Sequence, residues 1–358
     1  MVYALLPMVC GGMLCLFLLV RTVGESEIKD TFFAIGDKSV FAIVGAVPVM
    51  EDPPALPSVE ENAVPDAMPE KVQNAPEEEI APQKTPEIFY DSLPAGATPI
   101  IACDLSSQSY FINTTKYTID LDKAQSAPFP SSRAIPENGP LVLVLHTHAT
   151  ESYFEDRTNL SQFADGGVES YFLQSEVSFR TTDPEKSVVK VGEVFCQTLE
   201  SLGIPTLHCT VMHDKDDFNS AYINSAETVK AMLKQYPTIQ YVIDLHRDSV
   251  VRGESYVKSS TVLNGTPSAQ VMLVVGTNQN GRHPNWEQNL TVACAFKNKM
   301  DALFPSLSRA LYLRTARFNQ EFLPGCMLLE VGSCANTLEE AENAAISAAH
   351  AFSAMIRE

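Results

Sequence analysis

Gly139-Pro140-Leu141-Val142-Leu143-Val144-Leu145-His146-Thr147-His148-Ala149-Thr150-Glu151 is the stretch on which the fold turns. Five successive aliphatic residues, entered through Gly-Pro, read as a strand buried on both faces, as inside a parallel sheet. The run stops abruptly in two histidines and a carboxylate. Open α/β sheets collect their ligands outside the carboxyl ends of strands, so these side chains arrive where such a fold does chemistry. His148 and Glu151, three positions apart, can face one ion without distorting the backbone. A site also needs a further ligand and a base, which must come from elsewhere in the chain.

Working outward, strands and helices alternate. Thr182-Asp183-Pro184 reads as a helix start, with Asp183 as N-cap and Pro184 at the first position, and Gly203 follows the last turn. A short strand at 204–209 and a helix over 218–235 come next. Gln240 to Leu245 is a second buried strand and Ala269 to Val275 a third. Residues 286–303 form a helix with the only tryptophan, Trp286, near its start. Leu311 to Arg314 and Cys326 to Glu330 are the last strands, and a helix from about Leu338 to Ile356 closes the chain. This rhythm predicts an α/β fold: a mixed, largely parallel sheet with helices on both faces.

The first part of the 358 residues reads differently. Residues 4–20 are apolar and uncharged, close to the roughly 17–25 residues that cross a bilayer. They have neither a positive leader nor a small-x-small cleavage site. The expected organisation is an uncleaved transmembrane helix over 1–23 and a short juxtamembrane segment over 24–50. An acidic Pro-rich linker over 51–99 should be disordered and extended. An N-terminal flap over 100–137 precedes a catalytic domain over 138–358. Within the flap, Ser109 to Asp120 alternates like a strand or hairpin. The net charge of -19 argues against nucleic acid or an anionic membrane surface as the main ligand. The eight cysteines show no Cys-x-x-Cys spacing and read as small buried thiols.

Three strand ends carry matching chemistry. The first gives His146, His148 and Glu151; the second gives Asp244, His246, Arg247 and Asp248; the third gives Glu330. Brought to one sheet edge, they would make a two-histidine, one-carboxylate Zn²⁺ site with a position left for water, the arrangement of catalytic zinc. Glu330 is the candidate base, since an unpaired carboxylate on a buried strand is costly unless it is used. His208, His213 and His283 read as ordinary satisfied polar residues.

At these residues the sequence resembles the stage II sporulation protein P family. The blocks are His146-Thr-His148-Ala-Thr-Glu151-Ser-Tyr153, Val191-Gly192, Ile243-Asp-Leu-His246-Arg-Asp248 and Val275-Gly-Thr. They continue with His283-Pro-Asn-Trp286-Glu-Gln-Asn289, Leu313-Arg, Phe318-Asn-Gln320, Leu329-Glu330-Val-Gly332 and Ala335 to Ala341. The resemblance implies a membrane-anchored peptidoglycan hydrolase among the zinc-dependent N-acetylmuramoyl-L-alanine amidases of the third class, with their phosphorylase/hydrolase-like sheet. It implies Zn²⁺ ligands at His148, Glu151 and His246 and a water-activating acid at Glu330. Asp244 and Arg247 would support the ligands or position substrate. His146 would either replace His148 as ligand or orient it. It further implies cleavage between N-acetylmuramic acid and L-alanine, with endopeptidase action on cross-links credited to the family. Septal wall thinning and engulfment would be its setting, on the extracytoplasmic side of the membrane. Stage II sporulation proteins D and M would be its partners. The competing expectations are another zinc hydrolase of wall peptides and a non-catalytic wall-binding scaffold.

Overall fold

The computed structural model describes residues 5–10, 13–18, 93–106, 109–155, 168–174 and 177–358. The chain falls into two units, Met1–Asp66 and Ala67–Glu358. In the first, the expected membrane helix is corrected. Its described residues are two antiparallel strands, β1 (Leu5–Cys10) and β2 (Met13–Leu18), with Cys10 opposite Met13. The sequence holds a reason: Gly11-Gly12 interrupts the apolar run with residues that weaken a helix. Among the described residues, no helix is long and apolar enough to cross a membrane. The rest of the expected anchor, the juxtamembrane segment and most of the expected linker lie outside the described residues.

The second unit carries two sheets. In chain order its strands are β3 (Ala97–Cys103), β4 (Phe111–Asn113), β5 (Val142–Leu145), β6 (Val168–Leu173), β7 (Thr206–His208), β8 (Tyr241–Asp248), β9 (Val251–Arg252), β10 (Ser255–Leu263), β11 (Thr266–Ala269), β12 (Val271–Gly276), β13 (Leu311–Arg314) and β14 (Cys326–Ser333). The main sheet has the order β4-β13-β12-β14-β8-β5-β7. Every neighbouring pair in it runs parallel except β12 with β14. The mixed, largely parallel sheet expected from the sequence is present. The smaller sheet has the order β11-β10-β3-β6, with β9 beside β10.

The helices are α1 (Leu121–Ser126), α2 (Val188–Ser201), α3 (Ala221–Gln235), α4 (Trp286–Leu303) and α5 (Leu338–Arg357). Strand parity sorts them. Val142, Val144, Tyr241, Ile243, Leu245, Met327 and Leu329 pack with Phe195, Phe296 and Phe352 of α2, α4 and α5 in the main core. The alternate residues Leu143, Leu145, Val242 and Cys326 pack against Val229 of α3 on the other face. Helix α5 presents buried alanines at 341, 344, 345, 348 and 349, small enough for α2 and α4 to lie close. It begins with a capping box between Thr337 and Glu340.

The expected helix at Asp183 is divided. Asp183 caps a single 3₁₀ turn, Pro184–Lys186, and Ser187 then accepts from Val189 N–H (3.2 Å) to start α2. Pro184 and Asp183 fit the short turn equally well, so the sequence signal is correct and the element shorter. Phe111–Asn113, expected within a flap, forms the edge strand of the main sheet beside β13. Strand β3 starts at Ala97, inside the segment expected to be linker.

Candidate active site

Strand β8 runs beside both β5 and β14, and the register places Leu145 opposite Asp244 and Glu330 opposite His246. Asp244 and His246 share the α3 face of β8, two residues apart, and Glu330 continues the row Cys326, Leu328 on the same face of β14. Three distant segments therefore meet at one edge of one face.

The two histidines after β5 part company. His146 continues the parity of Val142 and Val144 and turns toward α2. Its Nδ1 lies 2.8 Å from the Leu245 carbonyl and so carries the proton; bare Nε2 accepts from His208 Nε2 at 2.9 Å. Burial, then His208, pushes His146 down to about 3, so it is neutral. Gly192 is what lets α2 come this close: a Cβ there would stand 2.5 Å from His146 Cε1 and 2.9 Å from His208 Nε2. His148 sits in the turn, its ring 5.5 Å from that of His246 at 76° and stacked on Phe218 at 4.1 Å.

His246 lies between two carboxylates. Its Nδ1 is 3.4 Å from Glu151 Oε2 and its Nε2 is 2.9 Å from Asp244 Oδ1. Burial opposes the charged ring, but Asp244 and Glu151 outweigh it and hold His246 well above the usual histidine range. Burial would likewise raise Glu151 and Asp244. The His246 contacts overcome it for both, and Thr147 helps hold Asp244 at about 2. Glu330 goes the other way: burial, then Asp248, pushes it up to about 8.

Arg247 holds the frame. Its backbone N–H donates to Glu151 Oε2 (3.2 Å), Nε to the Ser152 carbonyl (3.1 Å) and Nη2 to the Phe179 carbonyl (2.8 Å). It pins Glu151 and the adjoining segment instead of reaching into solvent.

A residue absent from the sequence reading is also here. Asp214, in the loop between β7 and α3, accepts from Thr150 N–H and hydroxyl (3.2 and 2.6 Å), and its Oδ2 lies 3.7 Å from His148 Nδ1. No periodicity marks it; the contacts with Thr150, Arg180 and His148 set it apart from the nearby Asp216 and Asp217. His208 and His213 are hydrogen-bonded as expected, whereas His283 is buried with Nε2 unpartnered.

The donor set suits a divalent cation. The His148 and His246 rings meet at 5.5 Å beside the buried Glu151 carboxylate. The 3.4 Å between His246 Nδ1 and Glu151 Oε2 is about what two ligand bonds of ~2 Å make when they meet at a near-tetrahedral angle. Among the described residues, however, no group of three such side chains already stands at metal-binding distances.

A family model described as Stage II sporulation protein P (SpoIIP) matches residues 48–353. A protein of that description from Bacillus subtilis (strain 168) is 28% identical over 284 residues, which take in 74% of this chain and 63% of the relative. Of the solved structures, the CwlD amidase of Clostridioides difficile in complex with the GerS lipoprotein has a TM-score of 0.37 at 10% identity, covering 62% of this chain and 97% of that one. The catalytic domain of CwlV, an N-acetylmuramoyl-L-alanine amidase from Bacillus (Paenibacillus) polymyxa var. colistinus, has 0.32 at 11%, covering 60% and 95%. Likenesses of that size carry no argument about activity.

Proposed function

The chain belongs to the stage II sporulation protein P family, and from that premise we propose that it is a peptidoglycan hydrolase of sporulating cells. The bond cut is the amide between the lactyl group of N-acetylmuramic acid and L-alanine of the stem peptide. The observation that carries this reading is the meeting of His148, His246 and Glu151 beside Glu330, whose buried Oε2 has no partner.

His148, Glu151 and His246 would hold a zinc ion. Bound there, zinc supplies Lewis-acid polarisation of the scissile carbonyl and of a water. The other roles belong to the chain itself. Glu330, on the strand beside His246, accepts a proton from the attacking water and delivers it to the leaving α-amine of alanine. A carboxyl pushed up to about 8 suits a group that must take and return a proton near neutral pH. Asp244 Oδ1 faces His246 and fixes its ring, while Arg247 holds Glu151. Burial of the whole cluster strengthens each of these contacts. His146, bonded to His208 on the α2 side, supports the turn from behind.

The same reading places the protein at the sporulation septum, on the extracytoplasmic side of the membrane where the substrate lies. Stage II sporulation proteins D and M are its partners in wall thinning. The test is digestion of purified sacculi by the full chain, followed by mass spectrometry. The expected products are stem peptides with free N-terminal L-alanine and glycan strands with free lactyl carboxyls. A chelator stops their formation, added zinc restores it, and Glu330→Gln does not form them. Cleavage of the glycan strand, or digestion indifferent to the chelator, would contradict the proposal.

A further inference from the structure

The segment from Thr147 to Thr150 is gripped twice in the same way. Thr147 donates its backbone N–H (2.8 Å) to Asp244 Oδ1 and its hydroxyl (2.6 Å) to Oδ2. Thr150 donates its N–H (3.2 Å) to Asp214 Oδ1 and its hydroxyl (2.6 Å) to Oδ2. Each aspartate thus spends both oxygens on one threonine and still reaches a histidine: Asp244 lies 2.9 Å from His246 Nε2, and Asp214 lies 3.7 Å from His148 Nδ1. The two histidines so reached are the pair whose rings meet at 5.5 Å.

Asp214 has the marks of a built position. Its side chain is fully buried, and Arg180 Nη1 donates to Oδ2 at 3.1 Å. Opposite it, His148 Nδ1 is a buried nitrogen with no hydrogen-bond partner, and Asp214 is the carboxylate within ion-pair reach of it. A metal-bound imidazole needs its second nitrogen tied to an acceptor, which sets the tautomer and aims the ring.

We propose that Asp214, clamped by Thr150, is the positioning residue that takes the Nδ1 proton of His148 in a hydrogen bond and presents the other ring nitrogen to the metal. Asp244, clamped by Thr147, does the corresponding work for His246. Two threonines thereby make the ligand turn part of its own support. Arg180 balances the Asp214 charge from the outer, 42% exposed side, and Phe218 closes the ring face of His148. This assignment rests on the metal-site reading above.

The measurement is zinc affinity, read for the full chain by competition with a chromophoric chelator, alongside ¹⁵N shifts of the His148 ring in the zinc-loaded protein. Asp214→Asn should bind zinc about 10- to 100-fold more weakly, at unchanged stoichiometry. Asp214→Glu should recover part of the loss. Arg180→Ala, which leaves the carboxylate in place, should stay within about threefold, as for an exposed ion pair. The wild-type ¹⁵N spectrum should show His148 protonated at Nδ1, a result that needs no variant to fold. Thr150→Val, which removes one of the two donors to Asp214 Oδ2, should fall between wild type and Asp214→Asn. Unchanged affinity in Asp214→Asn, or a bare Nδ1 in the spectrum, would overturn the assignment while leaving the metal site standing. Loss of stoichiometric binding in Asp214→Asn would overturn it differently, by making Asp214 a ligand. Absence of zinc binding by the wild type would sink the underlying metal reading instead.

Discussion

The two faces of the sheet at β5 and β8 treat histidine in opposite ways. On the α2 side, His146 is wrapped by α2, bonded to His208 and to a backbone carbonyl, and pushed down to about 3 by burial. On the α3 side, His246 is as deeply buried but stands between Asp244 and Glu151, and its affinity for a proton rises. Burial is common to both; carboxylates are the difference. A buried imidazole without anions is a neutral packing element, whereas anions beside a buried imidazole favour its charged form. One residue of strand parity, between His146 and Thr147, divides the two environments.

The widest gap expected between the faces is catalytic. Glu330→Gln removes the proposed proton carrier and keeps the histidines. Turnover on sacculi should fall by about 10²- to 10⁴-fold with zinc content unchanged. Turnover within tenfold of wild type would show that the base is elsewhere.

On the other face the effects should be on stability. Gly192→Val drives a side chain into the His146–His208 pair, since even a Cβ would stand 2.5 Å from His146. Overpacking of this kind costs about 1–3 kcal/mol, or roughly 2–10 °C in Tm for a domain of this size. The released product pattern should not change. An unaltered Tm would mean that α2 does not pack against His146 at Gly192.

His283, buried between β12 and α4, tests the neutral-histidine half of the comparison away from the site. Burial, then Arg317, lowers it to about 4. Its folded pKa lies below that of the unfolded chain, about 6.5, so the unfolded state binds the proton first as pH falls. Its contribution is therefore intact above pH 6.5 and is lost progressively between about 6.5 and 4. At pH 5 the loss is about 2 kcal/mol. Urea midpoints at pH 7 and pH 5 should show that drop in the wild type and a smaller one in His283→Asn. Equal drops would assign the acid sensitivity to other groups.

A smaller effect is expected at Asn319, next to the site on the α3 face. It holds φ of 55° and donates to the Tyr222 carbonyl (2.7 Å) and to Ser225 Oγ (3.1 Å). Asn319→Ala should cost about 1–2 kcal/mol in denaturant unfolding, through the lost bonds and a left-handed backbone that alanine tolerates poorly. Asn319→Gly, which accepts that backbone, should lose less; the reverse order would remove the backbone explanation.

The strand ends were legible because two signals coincide there. Apolar runs at 141–145, 240–245 and 326–330 mark buried strands, and a chemically capable residue ending each is unusual. The parity that separates His146 from His148 was also in the sequence, but it needed the identity of the packed face, which comes only from α2. Asp214 was not legible: an aspartate in an aperiodic loop acquires meaning only when Thr150 folds onto it. The smaller sheet was half legible. Asn264 and Gly265, with φ of 52° and 82°, make the tight turn between β10 and β11, and Asn-Gly is a strong hairpin sign. Its pairing of Ile100 with Ser170 joins residues far apart in the chain, which local pattern cannot reveal. At the N-terminus, apolar composition outvoted Gly11-Gly12 and gave a helix where two strands stand.

The division between the two faces is tested most directly by counting zinc per chain in His148→Ala and His146→Gln after reconstitution and desalting. His148→Ala should retain little zinc and unfold near the wild-type temperature. His146→Gln should hold one zinc per chain and unfold at a lower temperature. The opposite pattern, with zinc lost from His146→Gln and kept by His148→Ala, would contradict the account at its centre.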